Sequence, residues 1–250
     1  ICSGLVSAAV VVLRPIQLNN QLLERSKNIM QLTGLVEGGQ LPDDEETLAL
    51  YKSLDTRLVE LDSGQFDTTL DAQTFDQRRA VNDPDLGIRV PSAQDSASLG
   101  RRSRYATVYI VWQDAELKRL ILPVRGAGMW SMLYGYIAIG GDLNTIEGMT
   151  FYEQNETPGL GDQITHGHWL EQWQGKKIFD DLGDYAFRVS EDTVAAGSEA
   201  ALYEVDALTG ATVTGNAVTR LMAYWFGPHG YASMLERMQQ QAPTPMEEDS

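Results

Sequence analysis

RYATVYIVWQDAELKRLILPV, residues 104–124, is the stretch on which the fold turns. Its first part, RYATVYIVW (104–112), is dense in β-branched and aromatic residues, whose side chains pack well on a pleated surface. KRLILPV (118–124) is apolar enough to be its partner, and QDAEL between them supplies a short polar turn. Two such runs around a tight break read as a β-hairpin. Further on, YGYIAIGGD and TIEGMTFYEQ repeat the arrangement, with Gly140-Gly141-Asp142 as the turn. A sheet of hairpins flanked by segments of helical spacing makes the class α+β, with an antiparallel or mixed sheet and surrounding helices.

Toward the N-terminus, residues 64–103 are polar, and NDPD and PSAQDSASLGRRS read as turns or loops. Before them, LPDDEETLALYKSLDTRLVEL (41–61) carries its own helix start. Asp43 or Asp44 can cap, acidic residues fill the first turn, and Leu48, Tyr51, Leu54 and Leu58 form an apolar stripe. IQLNNQLLERSKNIMQLTGL (16–35) spaces Ile16, Leu22, Leu23, Ile29, Met30 and Leu35 with approximate helical period, and Gly34 with Gly38-Gly39 is expected to end that helix.

The opening run ICSGLVSAAVVVL (1–13) has no charge and ends at Arg14-Pro15. As a helix it would rise about 20 Å, short of the roughly 30 Å hydrocarbon core. A buried strand or a signal-peptide core are the alternatives, but no cleavage site follows the run. The expectation is the C-terminal part of a transmembrane anchor, completed by apolar residues upstream. Arg14 alone follows it closely, too little positive charge to hold that side in the cytoplasm. The expected organisation is an anchor at 1–14, a juxtamembrane helical segment at 15–62 packed on the soluble domain, that domain at 63–240, and an acidic tail at 241–250.

Across 250 residues there are 35 acidic and 19 basic side chains, a net charge of -16. Nucleic-acid binding needs clustered cations to displace counterions, so this balance argues against it. The single cysteine, Cys2, excludes an internal disulfide. His166 and His168 form a His-x-His pair, which is more often exposed than ligating, and no metal site is expected.

Three glycine-bearing stretches separate the predicted elements: RGAGMWSMLYGY (125–136), NETPGLGDQI (155–164) and DALTGATVTGN (206–216). None has phosphate-loop or dinucleotide spacing. The third is followed by Val218, Leu221, Met222 and Trp225 at i, i+3, i+4 and i+7, with Gly227-Pro228 as a stop. A helix therefore starts near Thr212–Asn216, where free N–H groups and the helix dipole favour an anion such as phosphate. Thr209, Thr212 and Thr214 crowd that point. A plain threonine N-cap after a tight turn would account for one of them.

DALTGAT resembles the flavinylation motif Asp-x-x-(Ser/Thr)-Gly-Ala-Thr. LRPIQLNNQLLERSKNIMQLTGL, RGAGMWSMLYGY, NETPGLG, WLEQWQGKKI and DALTGATVTGNAV…WFGPHGY occur in the order seen in the NqrC subunits of bacterial sodium-translocating NADH:quinone oxidoreductases. The resemblance runs from the opening segment to about residue 238. The RnfG subunits of Rnf-type electron transport complexes share the FMN-binding domain. The LRPIQ segment and Gln154 resemble the NqrC subunits more.

The resemblance implies an FMN-binding domain in which Thr212 holds FMN through a phosphoester bond. Asp206 would serve recognition by a flavin transferase or order the turn. Thr209, Gly210, Ala211, Val213 and Thr214 would line the phosphate and ribityl chain. Glu156 and Thr157 would hydrogen-bond the flavin, Gly159 would permit close approach, and Leu160 would lie against the ring. Trp130, Met132, Leu133 and Tyr134 would cover the ring, and Lys177 or Lys176 would offset charge. No catalytic acid or base is required. The family implies a relay of single electrons between an iron–sulfur centre and another flavin, in a complex coupling NADH oxidation by ubiquinone to sodium export. Other membrane subunits and a flavin transferase would be the partners, with a single-pass protein in the bacterial inner membrane facing the periplasm. A membrane-anchored scaffold or binding domain without cofactor explains the anchor and loops, but not the ordered motifs.

Overall fold

The computed structural model describes residues 2–36 and 40–245. Ile1 of the expected anchor, Gly38 and Gly39, and residues 246–250 of the acidic tail lie outside the described residues. The chain divides into two compact units, with the boundary between Leu54 and Asp55.

The first unit holds two helices, α1 (Cys2–Thr33) and α2 (Asp44–Ser53). The opening apolar run and the periodic segment after it form one helix that passes through Pro15, although a proline forfeits one backbone hydrogen bond there. Ile29 and Met30 are buried. The helix stops at Thr33 because Gly34 takes φ +69°, a left-handed conformation that lacks the Cβ penalty in glycine. Lys27 reaches Asp44 at 2.7 Å and so links the two helices. Among the described residues, no helix is long and apolar enough to cross a membrane.

The sequence reading of 41–61 as one helix is corrected at Leu54, whose backbone turns extended (φ -66°, ψ 137°). Residues after it form a strand, β1 (Asp55–Glu60), in which Thr56 and Leu58 are buried and Asp55 and Arg57 are less so. Leu54 and Leu58 fit a helical stripe, but the same spacing is even, so Leu58 also satisfies a two-residue period. Thr56 and Val59 favour the strand.

The second unit is built on a six-stranded antiparallel sheet in the order β2-β1-β5-β6-β7-β8. Its other strands are β2 (Gln65–Asp67), β5 (Tyr105–Gln113), β6 (Glu116–Ala127), β7 (Met132–Gly140) and β8 (Ile146–Glu153). The polar segment before β5 contains α3 (Gln77–Ala80) and a small hairpin of β3 (Gly87–Arg89) with β4 (Arg101–Ser103), all too short to leave a periodic signal. The β5–β6 hairpin turns through Asp114 and Ala115, both at positive φ, which matches the twist of the flanking strands.

After β8 come α4 (Gly167–Leu170) and a parallel pair, β9 (Arg188–Val189) with β10 (Glu204–Val205). Two C-terminal helices follow, α5 (Thr212–Trp225) and α6 (Ala232–Gln240). The apolar stripe of α5 is buried at Val218, Leu221, Met222 and Trp225, each contributing about 1.5–3 kcal/mol. Gly126 lets the helix lie close on β6, since a Cβ there would stand 3.0 Å from Leu221. The indole of Trp225 donates to the Arg125 carbonyl at 2.7 Å, and the Tyr231 hydroxyl donates to the Pro123 carbonyl at 2.6 Å. On another side, Val189 N–H donates to Thr219 Oγ1 at 3.0 Å. These contacts fix where the first turn of α5 points.

Candidate functional site

The three glycine-bearing stretches, far apart in sequence, meet at one place. Their common element is Glu156, only 4% exposed. Its Oε1 accepts from Trp130 N–H at 3.0 Å, and its Oε2 accepts from Met129 N–H at 3.2 Å and from the Thr214 hydroxyl at 2.6 Å. One carboxylate therefore ties the β6–β7 turn to the first turn of α5. Glycines make room for it: a Cβ on Gly128 would stand 2.5 Å from Oε1, and one on Gly161 would stand 2.8 Å from both Glu156 Cβ and Thr214 Oγ1.

Two further links close the ring. Gln163 donates through Nε2 to the carbonyls of Gly159 and Thr209, both at 3.3 Å, and so joins the second stretch to the third. The indole of Trp130 donates to Thr157 Oγ1 at 3.0 Å, joining the first to the second. Gly159 and Gly210 take positive φ, and Leu160 lies against Gly210, where a Cβ would be 2.9 Å from its Cδ2.

At this meeting point α5 begins without a side-chain cap. Its N-cap residue is Ala211, so the threonine cap expected as the plain alternative is absent. Thr212 and Val213 are exposed, whereas Thr214 is 1% exposed and donates its hydroxyl to Glu156. On the segments tied together here, apolar side chains lie open to solvent: Trp130 at 66%, Val213 at 52%, Leu160 at 41% and Met129. Exposed apolar surface beside unsatisfied helix N–H groups suits a ligand with a flat apolar part and an anionic end. FMN has both, so the residues present fit it.

Other residues singled out from the sequence lie elsewhere. Leu133 is fully buried beneath Gly128. Tyr134, its neighbour on β7, faces the other side of the sheet, where Arg78 stacks on its ring at 3.8 Å. Met132 is half-buried at the start of β7. Lys177 sits beside the β7–β8 turn, pairing with Thr145 across a β-bridge and reaching Asp181 at 3.9 Å, while Lys176 donates to the Ala201 carbonyl. In that turn burial pushes the Asp142 carboxyl up, but hydrogen bonds from Thr145 and Asn144, with Lys177 nearby, outweigh it and hold Asp142 below the usual carboxylate range.

Asp206 orders its loop: Oδ1 accepts from Val194 N–H at 2.7 Å, its carbonyl accepts from the Trp169 indole, and its N–H donates to Gln172. His166 and His168 are exposed, with His166 4.0 Å from Asp162. Gln163, Gly128 and Gly161 were not among the residues expected to matter. The glycines carried a weak signal as members of the Gly-x-Gly pairs; Gln163 carried none.

Residues 128–227 match the family described as FMN-binding domain, a range that opens at the β6–β7 turn and closes just past α5. The chain is 41% identical over 239 residues to the NqrC subunit of the Na(+)-translocating NADH-quinone reductase of Pseudomonas aeruginosa, covering 95% of this chain and 91% of that protein. It is 39% identical over 238 residues to the corresponding subunit of Vibrio anguillarum, covering 95% and 90%. The crystal structure of Shewanella oneidensis NqrC superposes with a TM-score of 0.77 at 35% identity, covering 87% of this chain and 97% of that one. The corresponding structure from Parabacteroides distasonis gives 0.66 at 26% identity, covering 89% and 96%. Similarity of this extent, in sequence and in fold alike, means that the chain belongs to the NqrC family of Na(+)-translocating NADH-quinone reductase subunits.

Proposed function

We propose that this chain is the electron-carrying FMN subunit of a sodium-translocating NADH:quinone reductase, with FMN bound to Thr212 Oγ1 through a phosphoester. The observation that carries this reading is the exposed Thr212 at the uncapped start of α5, joined through Glu156, Gln163 and Leu160 to segments that carry the exposed Trp130 and Leu160. Attachment forms the Oγ1–P bond and breaks the pyrophosphate of FAD, with AMP leaving and the hydroxyl proton passing to the transferase or to water. The resulting phosphodiester keeps one negative charge, which the free N–H groups of Thr212, Val213 and Thr214 are placed to stabilise.

Once bound, FMN supplies one-electron chemistry, and the protein supplies position and environment. Gly210 and Ala211 keep bulk away from the phosphate, while Trp130 and Leu160 offer apolar surface to the ring. A tether suits a carrier that is reduced and reoxidised repeatedly, because dissociation is removed as a failure mode. In this reading electrons pass between an iron–sulfur centre and a second flavin on neighbouring subunits. The helix α1 continues an anchor in the bacterial inner membrane, and the sheet domain lies on the periplasmic side.

The test is co-production with a flavin transferase, followed by denaturing electrophoresis under ultraviolet light. A fluorescent band that disappears in Thr212→Ala is the expected result. A colourless wild-type band would sink the proposal, and fluorescence surviving in Thr212→Ala would move the attachment to another residue.

A further inference from the structure

We infer that Glu156 is a positioning residue, a buried carboxylate that holds the Trp130 segment and the Thr212-bearing turn of α5 together without itself touching the flavin. This deepens the reading that Thr212 carries FMN and rests on it. The NETPGLG loop looks from sequence like a set of direct flavin contacts, and its glutamate like the polar group that would reach the ring.

The geometry assigns Glu156 differently. Both of its oxygens are engaged by the protein: Oε1 by Trp130 N–H, Oε2 by Met129 N–H and by the Thr214 hydroxyl. The space left beside it is closed by the backbones of Gly128 and Gly161, where even a methyl group would collide. A side chain 4% exposed and engaged inward has little left to offer a ligand outside.

What it does hold is consequential. Trp130 is fixed at two points, its backbone by Glu156 and its indole by Thr157, so a strongly exposed ring keeps one orientation. Thr214 is fixed in the first turn of the helix, two residues after Thr212, and with it the direction in which Thr212 presents its hydroxyl. The same bond commits the Thr214 hydroxyl, so the first turn of α5 offers one free acceptor hydroxyl, that of Thr212. Buried hydrogen bonds to a carboxylate are stronger than neutral ones, which suits a brace joining distant segments.

The experiment uses the full chain, with and without co-produced flavin transferase, as Glu156→Ala, Thr214→Val and Thr214→Ser. In unloaded protein, hydrogen exchange at the Met129 and Trp130 amides is expected to rise at least tenfold in Glu156→Ala. In loaded protein, Thr214→Val is expected to lower flavin occupancy at Thr212 severalfold and to weaken the circular dichroism of the flavin bands. Thr214→Ser, which keeps the hydroxyl, is expected to restore both. Wild-type exchange in Glu156→Ala, or wild-type occupancy and dichroism in Thr214→Val, would overturn the assignment. Should Glu156→Ala fail to fold, the Thr214→Val and Thr214→Ser pair decides by itself. Peptide mass separates the two levels: flavin persisting in Thr212→Ala refutes the attachment reading, while the exchange measurement, which needs no flavin, still judges Glu156.

Discussion

The starts of α2 and α5 solve the same physical problem in opposite ways. Each helix begins with backbone N–H groups that no helical carbonyl can reach, and with the positive end of its dipole. At α2 the chain answers for itself: Asp43 Oδ1 accepts from Glu45 N–H at 3.0 Å and Glu46 N–H at 2.9 Å, and Asp44, Glu45 and Glu46 place negative charge in the first turn. At α5 the cap residue is Ala211, no side chain caps, and no acidic residue occupies the first turn. The short α3 sides with α2, its cap Asp76 accepting from Arg78 N–H and Arg79 N–H. A helix that satisfies its own start has stability as its only task there. The start of α6 is uncapped too, but that of α5 opens beside exposed apolar side chains, and under the proposed function it is arranged for a charge that comes from outside the chain.

The contrast can be broken at both ends. The largest effect is expected from Thr212→Ala, which should abolish covalent flavin altogether, as read by fluorescence of the denatured band. Next is Ala211→Asp, which gives α5 the device α2 already has. It should lower flavin occupancy at least tenfold by setting a carboxylate where the phosphate belongs, while the melting temperature holds or rises. Wild-type occupancy in that variant would mean that the open start is incidental. Gly128→Ala forces a methyl against Glu156 and Leu133 and should cost about 1–3 kcal/mol in denaturant unfolding, by overpacking. The smallest change is Asp43→Ala, which should cost about 1 kcal/mol, the usual worth of such a cap, and leave flavin occupancy as it was.

How much of this is visible in the sequence differs by element. The hairpins at 104–124 and 132–153 are legible because their strands are long and rich in β-branched and aromatic residues, and their turns are punctuated by glycine and aspartate. The strand Asp55–Glu60 is hidden because its one large apolar pair, Leu58 and Val59, continues a helical stripe begun by Leu48 and Tyr51. Its whole length, from Asp55 opposite Ile110 to Glu60 opposite Tyr105, is paired with β5, and that pairing is non-local; the local pairing with β2 reaches only Leu58–Glu60. In the site, Thr212 stands out through its local motif. The roles of Glu156 and Gln163 do not, because their partners Trp130, Thr214 and Thr209 lie far off along the chain. Lys177 illustrates the converse: a cation chosen for its charge sits by the β7–β8 turn and helps hold Asp142 ionised.

The pinning of α5 across β6, through Trp225 to the Arg125 carbonyl and Leu221 against Gly126, also has a meaning in time. Thr212 follows every strand of the six-stranded sheet in chain order, so the hydroxyl is synthesised only after Trp130, Glu156 and Leu160. During synthesis the sheet can assemble first and serve as the template on which the acceptor helix docks. With the proposed attachment at Thr212, flavin loading would then be a late step in maturation, one that reports on whether the domain beneath it has folded.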